Sequence, residues 1–103
     1  MTSATRILEH PELTAVELTT VLFALSDPAR LELVRLLAAD GPQTVTQCHL
    51  LDPDVPKSTF SHHLKTLREA GIVRNDPSGR QRTITLRRAE LDARFPGLLR
   101  SVL

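Results

Sequence analysis

A single cysteine, Cys48, stands among 103 residues, so no disulfide can close within one chain and a zinc site built only from cysteines is excluded. No run of about 18 apolar residues occurs, which argues against a membrane-spanning helix. No basic-then-apolar leader opens the sequence, so the expectation is a soluble, cytoplasmic chain with no membrane partner. Glycine-rich phosphate loops and a Ser-His-Asp order suited to nucleophilic catalysis are both missing. The chain is also too short for a deep pocket, so an enzyme is not expected. This length fits one domain (1–103) with a modest core, one that a partner subunit would help to cover.

An overall charge of either sign is lacking too, the formal total being +1, but that total hides an uneven distribution. Residues 1–56 carry three arginines against eight carboxylates, whereas residues 57–88 carry eight cations against Glu69 and Asp76. A middle of net charge +6 is the electrostatic footprint of a polyanion partner such as double-stranded DNA.

Within that basic region lies Val55 to Val73, VPKSTFSHHLKTLREAGIV. Phe60, Leu64 and Leu67 recur at the spacing that lines one side of a helix, while Ser58, Ser61, His62 and Lys65 fall opposite. Pro56 suits the first helical position and Gly71 a left-handed stop before Ile72 and Val73, which predicts a helix over 56–70. Short hydroxyls, an imidazole and an ammonium are groups that read base edges and phosphates in a major groove. The competing reading is a merely solvated polar face. The candidate DNA-binding residues here are Lys57, Ser58, Thr59, Ser61, His62, His63 and Lys65, with His63 at the border of the apolar side.

Residues 1–16 form an N-terminal extension in which Arg6, Ile7 and Leu8 could begin a short helix that His10-Pro11 ends. Residues 18–25, LTTVLFAL, are hydrophobic nearly all round and need burial on two sides, the second offered by another chain. Ser26-Asp27-Pro28 starts a helix with Leu31, Val34, Leu37 and Ala38 on its stripe, ended by Asp40-Gly41-Pro42. Arg30 and Arg35 lie off that stripe and read as salt-bridged surface arginines. A short helix follows over 44–51, capped by Thr44 or Thr46, and the turn 52–55 joins it to the 56–70 helix, making 44–70 a helix-turn-helix. Residues 72–75 and 82–86 are rich in β-branched side chains and 76–81 in turn formers, so 72–86 reads as a hairpin wing. Its Arg80 and Arg82 are placed to enter a minor groove or hold phosphates. The fold class is therefore mainly α with a small antiparallel β-hairpin, a dimeric winged helix-turn-helix. Val21, Leu22, Phe23, Leu98, Leu99, Val102 and Leu103 exceed what three helices and a hairpin can cover, so they are the candidate dimer interface, with 18–25 and 96–103 as dimerisation helices.

The segments LSDPARLELVRLL, STFSHHLKTLREAGIV and GRQRTITL, in that order, resemble the ArsR-type (arsenic and metal repressor) family of winged helix-turn-helix regulators over residues 18–103. The concluding LDARFPGLL resembles a subset of that family without an obvious metal site. The resemblance implies a homodimeric, usually repressing, DNA-binding protein whose interface is built by the first and last helices. The family's metal sensors carry Cys-x-Cys where this chain has Val45 and Gln47, and their second site needs a histidine from the last helix, whereas none follows His63. No metal and no cofactor is expected, and the small-molecule effector is unknown.

Three competing readings remain. Cys48 could make the chain a thiol-responsive regulator, although it lies on the apolar stripe of its helix without a resolving partner. His62 and His63 project about 100° apart, unlike two ligands of one zinc. A winged helix can also serve as a protein-interaction module, its basic region then meeting an acidic protein surface.

Overall fold

A two-residue link, Ser26-Asp27, joins the first two helices, and its carboxylate decides where the second begins. Asp27 accepts hydrogen bonds from the N–H groups of Ala29 (2.8 Å) and Arg30 (3.2 Å), with Pro28 in the first turn where no N–H is needed. The computed structural model, which describes residues 6–103, places α1 at Leu18–Leu25 and α2 at Pro28–Asp40. There follow β1 (Gln43–Thr44), α3 (Val45–His49), α4 (Lys57–Glu69), β2 (Val73–Ser78), β3 (Gln81–Leu86), α5 (Arg88–Arg94) and α6 (Leu98–Val102). Thr44, not Thr46, caps α3: its hydroxyl accepts the Gln47 N–H (3.1 Å), and the Gln47 side-chain oxygen accepts the Thr44 N–H (2.8 Å).

Helix α4 begins one residue later than expected, because Pro56 has an extended ψ of 144° and so precedes the first helical residue. At its other end Gly71 adopts φ 77°, the Ile72 N–H reaches the Leu67 carbonyl and the Gly71 N–H that of Arg68, both at 3.0 Å. A side chain at Gly71 would be strained, and its Cβ would lie 3.1 Å from Val16.

The strands form an antiparallel sheet in the order β1-β3-β2, with Asn75 opposite Ile84 on one side and Gln43 opposite it on the other. Two residues of sequence are too few to show a period, so β1 left no readable signal. The wing is tighter than the sequence suggested. Asp76, Pro77, Ser78 and Gln81 are paired strand residues, leaving only Gly79 and Arg80 as the turn, with Gly79 at φ 62°. Pro77 is tolerated because β2 lies at the edge of the sheet, where a missing N–H costs no ladder bond.

The core gathers Val21 and Ala24 of α1, Leu33, Val34 and Leu37 of α2, Cys48 of α3, and Phe60, Leu64 and Leu67 of α4. Ile72, Val73, Ile84, Leu91 and Leu99 belong to it as well. Two of the seven candidate interface residues are thereby reassigned: Val21 (0% exposed) and Leu99 (1%) fill the protomer's own interior and offer nothing to a partner. At 100° per residue α1 turns Val21, Ala24 and Leu25 inward and necessarily turns Leu22 and Phe23 out, at 45% and 65% exposure. Leu98 and Val102 are half-buried, and Leu103 is exposed.

Arg6, Ile7 and Leu8 do not form the expected helix; residues 6–12 have no regular structure and Leu13–Ala15 make one 3-10 turn. Irregular backbone leaves carbonyls to satisfy, and guanidinium groups do so here. Arg68 donates to the Glu9 carbonyl (2.6 Å), Arg82 to that of Arg6 (2.8 Å), Arg87 to Pro11 (2.8 Å), and Arg94 to both Leu13 and Val16 (each 3.1 Å). His10 covers the open edge of β2, its Nε2 accepting the Asn75 N–H at 2.9 Å. With Leu13 and Val16 in the core, this segment is a strap along the wing.

Burial, reinforced by the Arg74 cation, holds the His10 imidazole below its ordinary value of 6.5, and only the neutral ring can accept from Asn75. A lowered histidine contributes stability that is complete above 6.5 and declines as pH falls toward the folded-state value. The protection factor of the Asn75 amide, measured by hydrogen exchange, is therefore expected to fall between neutral and acid pH. In His10→Ala it should be low and insensitive to pH throughout, whereas equal protection in both proteins would remove His10 from this role.

Candidate nucleic-acid interface

Phe60, Leu64 and Leu67 anchor α4 in the core, so the helical period presents Lys57, Ser58, Ser61, His62 and Lys65 along a single exposed arc, with Thr59 at its flank. Glu69 is also exposed on that arc, one turn beyond Lys65, and the neutral donors Ser58, Ser61 and His62 lie in the N-terminal half of the helix. That half is the part of a recognition helix that meets base edges. The turn ahead of it is fixed by His49, whose Nε2 lies 3.0 Å from the Val55 carbonyl and whose ring packs on Phe60 at 4.7 Å between centroids. The entry angle of α4 is thus set by packing on both sides of the turn.

His63 does not join the arc. It is half-buried, and its Nδ1 accepts from the Arg30 guanidinium at 3.2 Å. Arg30 in turn is not the surface arginine its position suggested: it is 7% exposed, with Nε on the Ala24 carbonyl (2.7 Å) and Nη2 on that of Phe23 (3.3 Å). Its planar group also lies 5.4 Å from the Phe23 ring centroid. The sequence held a usable signal for this. Arg30 sits in the first turn of α2, just after the last turn of α1, where that helix's unpaired carbonyls must end. Arg35 does match the surface reading, pairing with Glu32 at 2.7 Å while also donating to the Val102 carbonyl.

The wing divides its two candidate arginines. Arg80 is exposed at the turn, where a phosphate could approach it. Arg82 is committed internally: Nε donates to the Asn75 side-chain oxygen (2.6 Å), Nη2 to the Asn75 carbonyl (3.0 Å) and Nη1 to the strap at Arg6. Lying two residues from the buried Ile84 on the same face of β3, it points toward the protein rather than outward. On the outer face Arg74 is paired with Asp76 at 2.9 Å and holds that carboxyl below its usual range. Arg68 and Arg87 serve the strap, and Arg87 also pairs with Glu90 at 2.8 Å. Arg82 and Arg87 of the basic middle are therefore turned inward and the exposed Arg74 and Arg88 are paired with Asp76 and Asp92, whereas Lys57, Lys65 and Arg80 are exposed with no ion pair among the described residues.

Cys48 is buried beside Leu33, Leu51, Val55 and Phe60, at a cavity of about 30 Å³, room for a water or two. Burial pushes its thiol up to about 11, so little thiolate exists at neutral pH, and a thiolate is what an oxidant or a soft metal requires. Among the described residues no cluster of three or more His, Cys, Asp or Glu could hold a metal ion. Val45 and Gln47, at the family's cysteine positions, carry no thiol; Gln47 is committed to capping α3.

The different environments of the wing arginines predict different salt behaviour. Arg80→Ala should weaken DNA binding and make the plot of log affinity against log salt shallower by about one unit, as expected when one phosphate is no longer neutralised. Arg82→Ala should weaken binding with the slope unchanged, because the wing loosens while every phosphate keeps its cation. Titrations at several salt concentrations decide it, and a shallower slope for Arg82→Ala would place that side chain on the DNA backbone after all.

Residues 25–75 match the helix-turn-helix domain family. The chain is 32% identical over 84 residues to the uncharacterized HTH-type transcriptional regulator YceK of Bacillus subtilis (strain 168), covering 77% of this chain and 79% of that protein. It is 35% identical over 77 residues to the arsenical resistance operon repressor of Staphylococcus xylosus, covering 74% and 71% respectively. The crystal structure of an ArsR family transcriptional regulator superposes with a TM-score of 0.67 at 28% identity, over 82% of this chain and 90% of that one. With the α3-turn-α4 geometry and the β2–β3 wing in place, these likenesses are decisive: the chain belongs to the ArsR-type family of winged helix-turn-helix transcriptional regulators, and its helix-turn-helix is a DNA-binding domain.

Proposed function

We propose that the protein is a homodimeric repressor that acts in the cytoplasm on an inverted-repeat operator, each protomer inserting α4 in a major groove and bracing it with the wing. The observation that carries this reading is the α4 arc of Ser58, Ser61, His62 and Lys65, held outward by three buried apolar anchors. Kinship with a repressor from Staphylococcus xylosus supports repression over activation. In this reading residues 44–70 form the helix-turn-helix, 72–86 the wing, and α1 with α6 the dimer contact.

The case for a dimer rests on apolar surface that the protomer leaves uncovered. Leu18 and Leu22 are exposed one turn apart on α1, Phe23 points away from the core beside them, and Leu18 shares a groove with Leu98 of α6. Val102 and Leu103 lie at the other end of α6. Burying each such side chain contributes about 1.5–3 kcal/mol, enough over two protomers to offset the cost of association. Two recognition helices would then lie about one DNA turn, roughly 34 Å, apart.

Selection of bound duplexes from a random pool tests the whole reading, which predicts an inverted repeat; an empty selection at low salt would favour a protein partner. Against the selected duplex, Ser58→Ala, Ser61→Ala and His62→Ala should each relax sequence preference, a good base pairing by a side chain being worth about 1–3 kcal/mol of discrimination. Equal weakening on selected and random DNA would count against groove reading by α4. The dimer has its own test. Leu22→Glu changes exposed surface without touching the core, so it should sediment as a folded monomer at micromolar concentration and no longer bind the inverted repeat. An unaltered dimer would exclude α1 from the interface.

A further inference from the structure

The side chain of Arg30 joins three helices that the DNA-binding reading uses for different purposes. It grows from α2, caps the last carbonyls of α1 at Phe23 and Ala24, and donates to His63 on α4. The residue is only 7% exposed, so each of these acceptors replaces water that the guanidinium has given up. None of the three is a carboxylate. The group is held by two carbonyls, an imidazole nitrogen and the face of Phe23, an arrangement that fixes direction more than it gains Coulomb energy. His63 sits between Ser61-His62 and Lys65, so a ring fixed at this point fixes the rotation of the arc on either side of it. Because Nδ1 accepts from Arg30, the neutral ring carries its proton on Nε2.

We infer that Arg30 is a positioning residue for DNA recognition: by tying His63 of the recognition helix to the C-terminal turn of α1, it sets the orientation of α4 relative to the helix that bears the exposed Leu22 and Phe23. This rests on α4 being the helix that reads the groove. Rigid orientation matters most for sequence reading, since base contacts have stricter geometry than phosphate contacts, which tolerate a tilted helix. Breaking the tie therefore acts on discrimination before it acts on general affinity.

The test compares binding to the duplex selected by the wild-type protein with binding to random duplex, alongside thermal melting. His63→Leu removes the acceptor while keeping apolar bulk, and it should lower the ratio of specific to random affinity by about tenfold, the effect of removing a hydrogen bond to a charged group. Arg30→Met, which also removes the contacts to α1, should lower the ratio at least as far, and the double variant no further than Arg30→Met, because His63 acts through Arg30. His63→Gln, which retains an acceptor for Arg30, should keep the ratio within about twofold of wild type. A lower melting temperature with the ratio intact in His63→Leu would reduce the pair to ordinary core structure and overturn the inference, as would additive effects in the double variant. Ser58→Ala separates the two levels: if it lowers the ratio while His63→Leu does not, only the inference fails. If neither does, groove reading by α4 fails with it.

Discussion

Helix α1 ends only two residues before α2 begins; its Phe23 carbonyl accepts from the N–H and hydroxyl of Ser26, and a buried guanidinium from α2 supplies the Ala24 carbonyl while reaching Phe23 as well. The constraint is severe, because an unpaired carbonyl and an unpaired cation are each costly in the interior, and here the Ala24 carbonyl and the Arg30 guanidinium are each the other's solution. Around this joint the remaining pieces follow. Asp27 fixes the start of α2, Phe23 is held against the guanidinium, and His63 brings α4 to the same point. A mobile joint there would let the exposed arc of α4 swing while the core residues beneath it stayed packed.

The use of arginine elsewhere follows the same logic. The N-terminal strap has too little regular structure to satisfy its own backbone, and four arginines from α4, β3, α5 and the segment between them donate into it. Their role is structural satisfaction of carbonyls on the open side of the sheet, with His10 closing the edge of β2. The consequence is shorter electrostatic reach: charge that looked available to a polyanion is withdrawn to the protein's own side. Of the exposed cations between residues 57 and 88, Arg74 and Arg88 are paired with carboxylates, and those left without an ion pair among the described residues are two lysines on the exposed arc of α4 and one arginine at the wing turn. A few charges on rigid elements fit a protein whose overall charge is close to neutral.

Helix α3 is built for packing. Gln47 is occupied by the capping box, Val45 packs against the core, and Cys48 faces a cavity that fits a water or two. The thiol's raised pKa and the missing second cysteine leave this helix without the chemistry that a soft metal requires. Its contribution is to present the turn that aims α4.

The order of helices, the wing and the polar arc of α4 were legible in the sequence because each depends on local periodicity and on residues with strong backbone preferences. Asp27-Pro28 and Gly71 mark ends through their own geometry, and Phe60, Leu64 and Leu67 define a buried side that leaves Ser58, Ser61, His62 and Lys65 opposite whatever surrounds them. Only tertiary structure decided how most of the long side chains and the largely apolar helix α1 were used. Val21 and Leu22 are alike in sequence, yet one is core and one surface, because the direction of the interior is set by helices far along the chain. Arginine reaches several ångströms and can donate five ways, so its sequence position does not say whether it meets solvent, a carbonyl or a phosphate. Arg82 turned inward because a backbone carbonyl 76 residues away lay within reach, whereas the carbonyls that hold Arg30 lie only six and seven residues back in the chain.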